Sequence, residues 1–320
     1  MRDLVMVVAI ILAVLAVCVW LFGPREEVQL LPVRVQLPDD LDAWLKVREA
    51  GIRPDLAAHI GWAGTPGQQT DLAVVYLHGF SASPRELRPV PEIVAGALGA
   101  NLFVTRLAGH GEDGAALGQV RASDWWRDTA EALTVGQRLG RRVVLIGNST
   151  GATLAAEAAR DPILGRKIDK LVLISGNFGL RSPAAPLLGW PFARRWVPMI
   201  AGKIRCFKPV NVEHAQAWTS CYPTVATLPM AALVRHAHLG NYDAARQPVL
   251  FLWADQDRIV DPAAAMRIAG LWGGEVTRHR LQLGPGDDPA GHVIAGEVLS
   301  PGMTTQVADI LTDWIRRDLP

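Results

Sequence analysis

The sequence is short of the features that mark several large classes of protein. Its charges nearly cancel: 32 basic residues against 31 acidic ones leave a net charge of +1. That balance lacks the basic footprint of a nucleic-acid binder, and no nucleic-acid partner is expected. There is no long charge run, no internal repeat and no low-complexity tract, which speaks against solenoid and disordered architectures. Three cysteines occur in 320 residues. Neither they nor the eight histidines are spaced as metal ligands, so no metal is expected. What is plentiful is apolar. Half of the residues are hydrophobic, ample for the core of one large domain or two small ones.

The first apolar run stands apart. From Leu4 to Phe22 there is no charge, glycine or proline. As a helix it covers roughly 28 Å, close to the hydrocarbon thickness of a bilayer. Trp20 sits where an indole suits the interface, and Gly23-Pro24-Arg25-Glu26-Glu27 ends the run. No face is polar, which disfavours a helix packed on a domain. Residues 1–24 therefore read as an uncleaved signal anchor and single membrane span. A cleaved signal peptide is the alternative. Ala16-Val17-Cys18 is a poor cleavage site, however, and cutting there would leave Val19-Trp20-Leu21-Phe22 at the new terminus. Lipidation at Cys18 is a weaker reading still, with Val17 before it and apolar residues after it. Arg2 and the α-amine precede the span, whereas Arg25 is followed by two glutamates. This favours an inside N-terminus and an extracytoplasmic (periplasmic) domain. There Cys206 and Cys221 could pair across a short loop, or remain two free thiols.

Residues 25–70 form a Pro-rich linker and first elements that the pattern does not resolve. The chain then alternates. Strands are expected at 73–77, 101–105, 143–146, 171–174 and 248–253, with an edge strand at 276–283. Helices are expected at 91–98, 122–139, 152–160, 262–271 and 307–314. This order predicts a mostly parallel sheet covered on both faces, built from residues 71–176 and 246–320. Residues 177–245 break the rhythm with Trp190, Trp196, Trp218, several prolines and no clean strand. They read as an inserted helical cap, with ordinary core helices as the alternative.

Gly147-Asn148-Ser149-Thr150-Gly151 follows the buried run Arg142–Ile146 and precedes a good helix former. Strand, sharp turn and helix give a G-x-S-x-G motif its meaning: the serine hydroxyl stands exposed above the sheet. The Thr150 amide then lies at a helix N-terminus, able to donate to an oxyanion. A serine needs a base, and the base needs an acid to fix its tautomer. In an open parallel sheet these come from loops at the carboxyl ends of strands. Of the two histidines that follow both Ser149 and an acidic strand-end loop, His279 lies inside the expected edge strand, which leaves His292 and the order Ser…Asp…His. Asp257 is the expected acid. Asp255 and Asp261 are alternatives whose ordinary roles are turn former and helix cap. The amide of Phe80, just past the first strand, is the expected second oxyanion donor. His78 is expected to bind loop backbone.

Three segments together resemble the α/β-hydrolase superfamily, in its carboxylesterase and monoacylglycerol-lipase-like branch. They are Leu77-His78-Gly79-Phe80-Ser81-Ala82-Ser83-Pro84-Arg85-Glu86, Arg106-Leu107-Ala108-Gly109-His110-Gly111 and Gly147–Gly151. The resemblance covers about residues 72–316. It implies an α/β-hydrolase fold with an eight-stranded sheet and a cap, ester hydrolysis through an acyl-enzyme, and no cofactor. The expected partner is a small apolar ester, with the Trp-rich cap lining its pocket. Thioester hydrolysis and acyl transfer would use the same residues, and a non-catalytic binding protein is the rival class. Position 148 is often His or Gln in such relatives and is Asn here, which bears on the acyl pocket and not on the triad.

Overall fold

Burial along the sheet strands follows their pleat, and this fixes the layers. In the computed structural model, which describes residues 1–317 (the Ala16 side chain excepted), alternate strand residues enter two separate cores. Ala73, Val75, Leu77, Leu145, Leu173 and Phe251 face one way; Val74, Tyr76, Ile146, Val172 and Leu252 face the other. Period-two alternation with both sets apolar is the signature of a sheet covered on both sides. Each Val, Leu, Ile or Phe side chain so buried contributes about 1.5–3 kcal/mol.

The elements in chain order are α1 (Arg2–Phe22), α2 (Leu41–Arg48), β1 (His59–Gly61), β2 (Thr70–Leu77), α3 (Val90–Leu98), β3 (Asn101–Val104), α4 (Gly114–Gln119), α5 (Ala122–Leu139), β4 (Gly140–Asn148), α6 (Thr150–Arg160) and β5 (Lys170–Ile174). They continue with α7 (Ala193–Ala201), β6 (Ile204–Cys206), α8 (Val212–Ala217), β7 (Cys221–Pro223), α9 (Thr227–His238), β8 (Val249–Ala254), α10 (Pro262–Leu271), β9 (Val276–Leu281) and α11 (Thr304–Arg316). The main sheet runs β1-β3-β2-β4-β5-β8-β9. Only the β1–β3 pair is antiparallel. Residues of α5, α6, α9 and α10 fill the first core, and residues of α3 and α11 fill the second.

Four features differ from or refine the expectation. The main sheet has seven strands where the resemblance implies eight. Residues 31–37 alternate like a strand, with Val33, Val35 and Leu37 half-buried against the first core, but they join no ladder. Pro32 and Pro38 bracket the segment and cannot donate to one. Secondly, residues 177–245, which showed no clean strand, contain the antiparallel ribbon β6–β7. Three-residue strands are too short to show a period. Their register places Cys206 opposite Cys221, and the two form a disulfide. Thirdly, α9, within the same stretch, packs on α5 and α6 and lies by its contacts in the helical layer of that face. Finally, the last three residues of the segment 246–320 lie outside the described residues.

Helix α1 has the length and hydropathy to cross a membrane, and its described side chains are exposed. Its end is not free of the domain. Trp20 meets Trp190 edge-to-face with centroids 5.3 Å apart, and Phe192 N donates to Pro24 O at 2.7 Å.

Candidate active site

Strand β4 delivers Ser149 to the carboxyl end of the sheet, and the chain reverses there into α6. The turn holds Ser149 at φ 52°, ψ −116°. A side-chain-bearing residue adopts this conformation only at a cost of about 1–3 kcal/mol. Close approach explains the two flanking glycines. A Cβ on Gly147 would lie 2.5 Å from Gly151 O, and one on Gly151 would overlap Leu77 O. Ser149 N donates to Ile174 O on the neighbouring strand, and Thr153 N closes the first helical turn onto Ser149 O.

The three residues expected to act together are in one hydrogen-bonded row. His292 Nε2 is 2.9 Å from Ser149 Oγ, and His292 Nδ1 is 2.8 Å from Asp257 Oδ2. All three are buried. Asp257 is held from behind by the amides of Ile259 and Val260, which donate to Oδ1. Asp288 secures the histidine loop: it accepts from the amides of Ala290, His292 and Val293. Burial pushes the His292 imidazole down, but the charge and hydrogen bond of Asp257, with Glu86 and Asp288 further off, carry it above its ordinary value. The other two candidate acids have other partners. Asp255 is exposed and pairs with Arg280 at 3.0 Å, while Asp261 caps α10 by accepting from Ala263 N.

Two amides near the serine turn are without partners. Gly79 N donates to Glu86 Oε2 and Ser81 N donates to His110 Nε2. Between them, Phe80 N has no acceptor among the described residues; nor does Thr150 N, the first amide of α6. Free amides at a helix N-terminus and in an adjacent loop can stabilise an oxyanion. His78 and His110 hold this loop. His78 Nε2 accepts from Leu107 N while Nδ1 meets Gly79 O, and His110 Nδ1 meets Ala108 O. Burial lowers both imidazoles, His110 to about 4, so each is neutral and can accept from an amide.

Sequence reasoning missed three supports. Glu86 is fully covered, binds Tyr76 Oη as well as Gly79 N, and is raised mainly by burial. Arg106 pairs with Glu49 at 2.6 Å and donates to His110 O. Asp288 is described above. Glu86 and Arg106 stood inside the quoted motifs, but only folding shows what they face. The aromatics also fall differently from expectation. Trp190 packs on Trp20 and Trp196 at the end of the span, and Trp218 packs on His214. Tyr222 of β7 meets Phe80 edge-to-face with centroids 5.4 Å apart, and Thr219 N donates to Ser81 O. Asn148 is fully buried. Among the described residues no three His, Cys, Asp or Glu side chains group as metal ligands would.

Known proteins agree with this architecture. A thermostable monoacylglycerol lipase of Bacillus sp. (strain H-257) is 26% identical over 194 residues, covering 61% of this chain and 74% of the lipase. A structure from work on two metagenome-derived lipolytic enzymes, LipS and LipT, superposes with a TM-score of 0.68 at 18% identity, covering 83% of this chain and 99% of its own. A soluble variant of the monoglyceride lipase of Saccharomyces cerevisiae superposes at 0.57 and 11% identity, covering 82% and 91%. At these identities the structural likeness is one of fold. The sequence pattern of the alpha/beta hydrolase family matches residues 74–297, the span that holds Ser149, Asp257 and His292, and the chain belongs to that family.

Proposed function

We propose that the chain is a membrane-anchored serine hydrolase that cleaves carboxylic esters with an apolar acyl group. The observation that carries this reading is the row Ser149–His292–Asp257 at 2.9 and 2.8 Å. Ser149 Oγ attacks the ester carbonyl while His292 Nε2 takes its proton. Asp257 keeps Nδ1–H pointed at itself and stabilises the imidazolium. The amides of Phe80 and Thr150 receive the oxyanion. The tetrahedral intermediate collapses with loss of the alcohol, which takes the proton from His292 and leaves an acyl-Ser149. Water, deprotonated by His292, then adds to the acyl carbonyl, and the second collapse releases the acid and restores the serine. No cofactor enters these steps. The monoacylglycerol lipase likeness supports a lipid-type ester as substrate.

In this reading residues 1–24 anchor the protein as a single span. The catalytic domain is extracytoplasmic, which the Cys206–Cys221 disulfide supports. Residues 177–226, ending before α9, serve as the cap. A serine-reactive fluorophosphonate tests the central claim. The full-length protein in detergent is expected to label within minutes, and Ser149→Ala is expected not to label while unfolding at the same temperature. Equal labelling of the two proteins refutes the nucleophile.

A further inference from the structure

We propose that the cleft between the end of α1 and α9 is a binding site for the phosphate headgroup of an anionic phospholipid. The cleft holds about 590 Å³ and does not include Ser149, His292 or Asp257. Leu21, Phe22 and Leu239 form its apolar wall, and Arg25 and Arg235 its cationic one. Its position is set by the span. Phe22 is the last residue of α1, so if α1 crosses the bilayer, the cleft lies at the depth of the headgroups.

The charge arrangement asks for an anion. Among the described residues no carboxylate lies within ion-pair distance of Arg25 or Arg235. Arg25 instead donates to the carbonyls of Trp20 and Gly23 and stacks over the Trp20 ring, 5.4 Å away. Arg235 donates to Glu26 O at 3.2 Å. The acid of Glu26 is already taken by Arg194 and Arg121, at 2.6 and 2.9 Å. Glu27 is exposed on the cleft and bonded to Gln29; His236 is engaged with Glu157. Two guanidiniums without an ion-pair partner therefore share one cleft with a single unpaired carboxylate, that of Glu27, and leave it an excess of positive charge. Burial and the neighbouring Arg25 both press the Arg235 guanidinium below its ordinary value. A phosphate diester relieves that repulsion through fork-shaped guanidinium hydrogen bonds. Its glycerol and acyl chains then continue along Leu21 and Phe22 into the bilayer. Basic pockets beside a span bind anionic headgroups in this way.

The test uses the full chain in nonionic-detergent micelles doped with phosphatidylglycerol or with phosphatidylcholine at equal mole fraction, read as thermal unfolding. Phosphatidylglycerol is expected to raise Tm by about 2–4 °C over phosphatidylcholine, as ligand linkage requires for a site near saturation. The double variant Arg25→Gln/Arg235→Gln is expected to lose this difference. Arg141→Gln, an exposed arginine at the start of β4 paired with Asp71, is expected to keep it. Equal Tm in the two lipids, or a difference that survives the double variant, overturns the site. The same rise with millimolar inorganic phosphate in undoped micelles marks a free-anion site and overturns the lipid assignment. Whether α1 is a span is read separately, from sedimentation of the full chain with membranes in high salt.

Discussion

His110 and His292 are both buried in loops at the carboxyl edge of the sheet, yet they are tuned in opposite directions. His110 is pressed down to about 4 and His292 is raised. Burial acts the same way on each, against the imidazolium. The partners differ. His110 faces backbone: the amide of Ser81 and the carbonyls of Leu107 and Ala108. His292 faces the carboxylate of Asp257. A neutral imidazole braces a loop as a fixed donor and acceptor. An imidazole beside a buried carboxylate can take up a proton and give it back. The comparison separates a histidine that holds the loop around Phe80 from one able to take up and release a proton.

The sharpest way to break the comparison is to remove the His292 imidazole and then the groups on either side of it. His292→Ala is expected to lower kcat on a short-chain ester roughly a millionfold, and Ser149→Ala combined with it to be no worse, because the residues act as a unit. Asp257→Asn is expected to cost about 10⁴-fold by favouring the wrong tautomer. Asp255→Asn and Asp261→Asn should stay within about tenfold of the parent, since their partners are Arg280 and the α10 amides. Steady-state kinetics on the purified variants decide the matter, and a dead Asp255→Asn would displace Asp257 from its role.

A smaller effect is the position of the acid limb. The base must be neutral, so kcat/KM rises with pH as His292 loses its proton. Because its pKa is raised, the midpoint is expected above the ordinary imidazole value of about 6.5. The residual activity of Asp257→Asn, which lacks the charge that raises the imidazole, should show a lower midpoint. A parent midpoint below 6 would contradict the assignment.

The smallest expected effect concerns His110 and appears in stability. Its folded pKa is depressed, so its contribution is present above the unfolded value of about 6.5 and is lost as pH falls toward about 4. About two and a half pH units correspond to roughly 3 kcal/mol. His110→Gln can still offer an acceptor to Ser81 N, and it should flatten that part of the stability-pH curve measured by thermal unfolding in detergent. An unchanged slope would remove His110 as a titrating brace. His292, being raised, contributes with the opposite sign: its share is present at low pH and is lost as pH rises through its folded pKa.

Much of this fold is legible in the sequence. The glycines around Ser149 and the order of Ser149, Asp257 and His292 carry geometry in their spacing. The helix 262–271 was placed to the residue, because Asp261 and Pro262 mark its start. The six strands expected from sequence, the edge strand included, were found with every end within three residues of its expected place. Less legible were pieces without a local period. The three-residue strands of the Cys206–Cys221 ribbon gave no pattern. The extended segment 31–37 did, yet it stays out of the sheet. The tryptophans of residues 177–245 were legible as apolar bulk but not as to which surface they would cover.

What the sequence determined alone was local: where the backbone must turn tightly, which runs are apolar on one face or both, and that Leu4–Phe22 is one unbroken apolar run. These follow from sterics and periodicity within a few residues of chain. What tertiary structure decided was which groups meet. Glu86 reaches the amide of Gly79, Arg106 reaches Glu49, and Arg25 shares a cleft with Arg235. Local sterics and periodicity do not dictate any of these meetings, which exist only once the chain has packed.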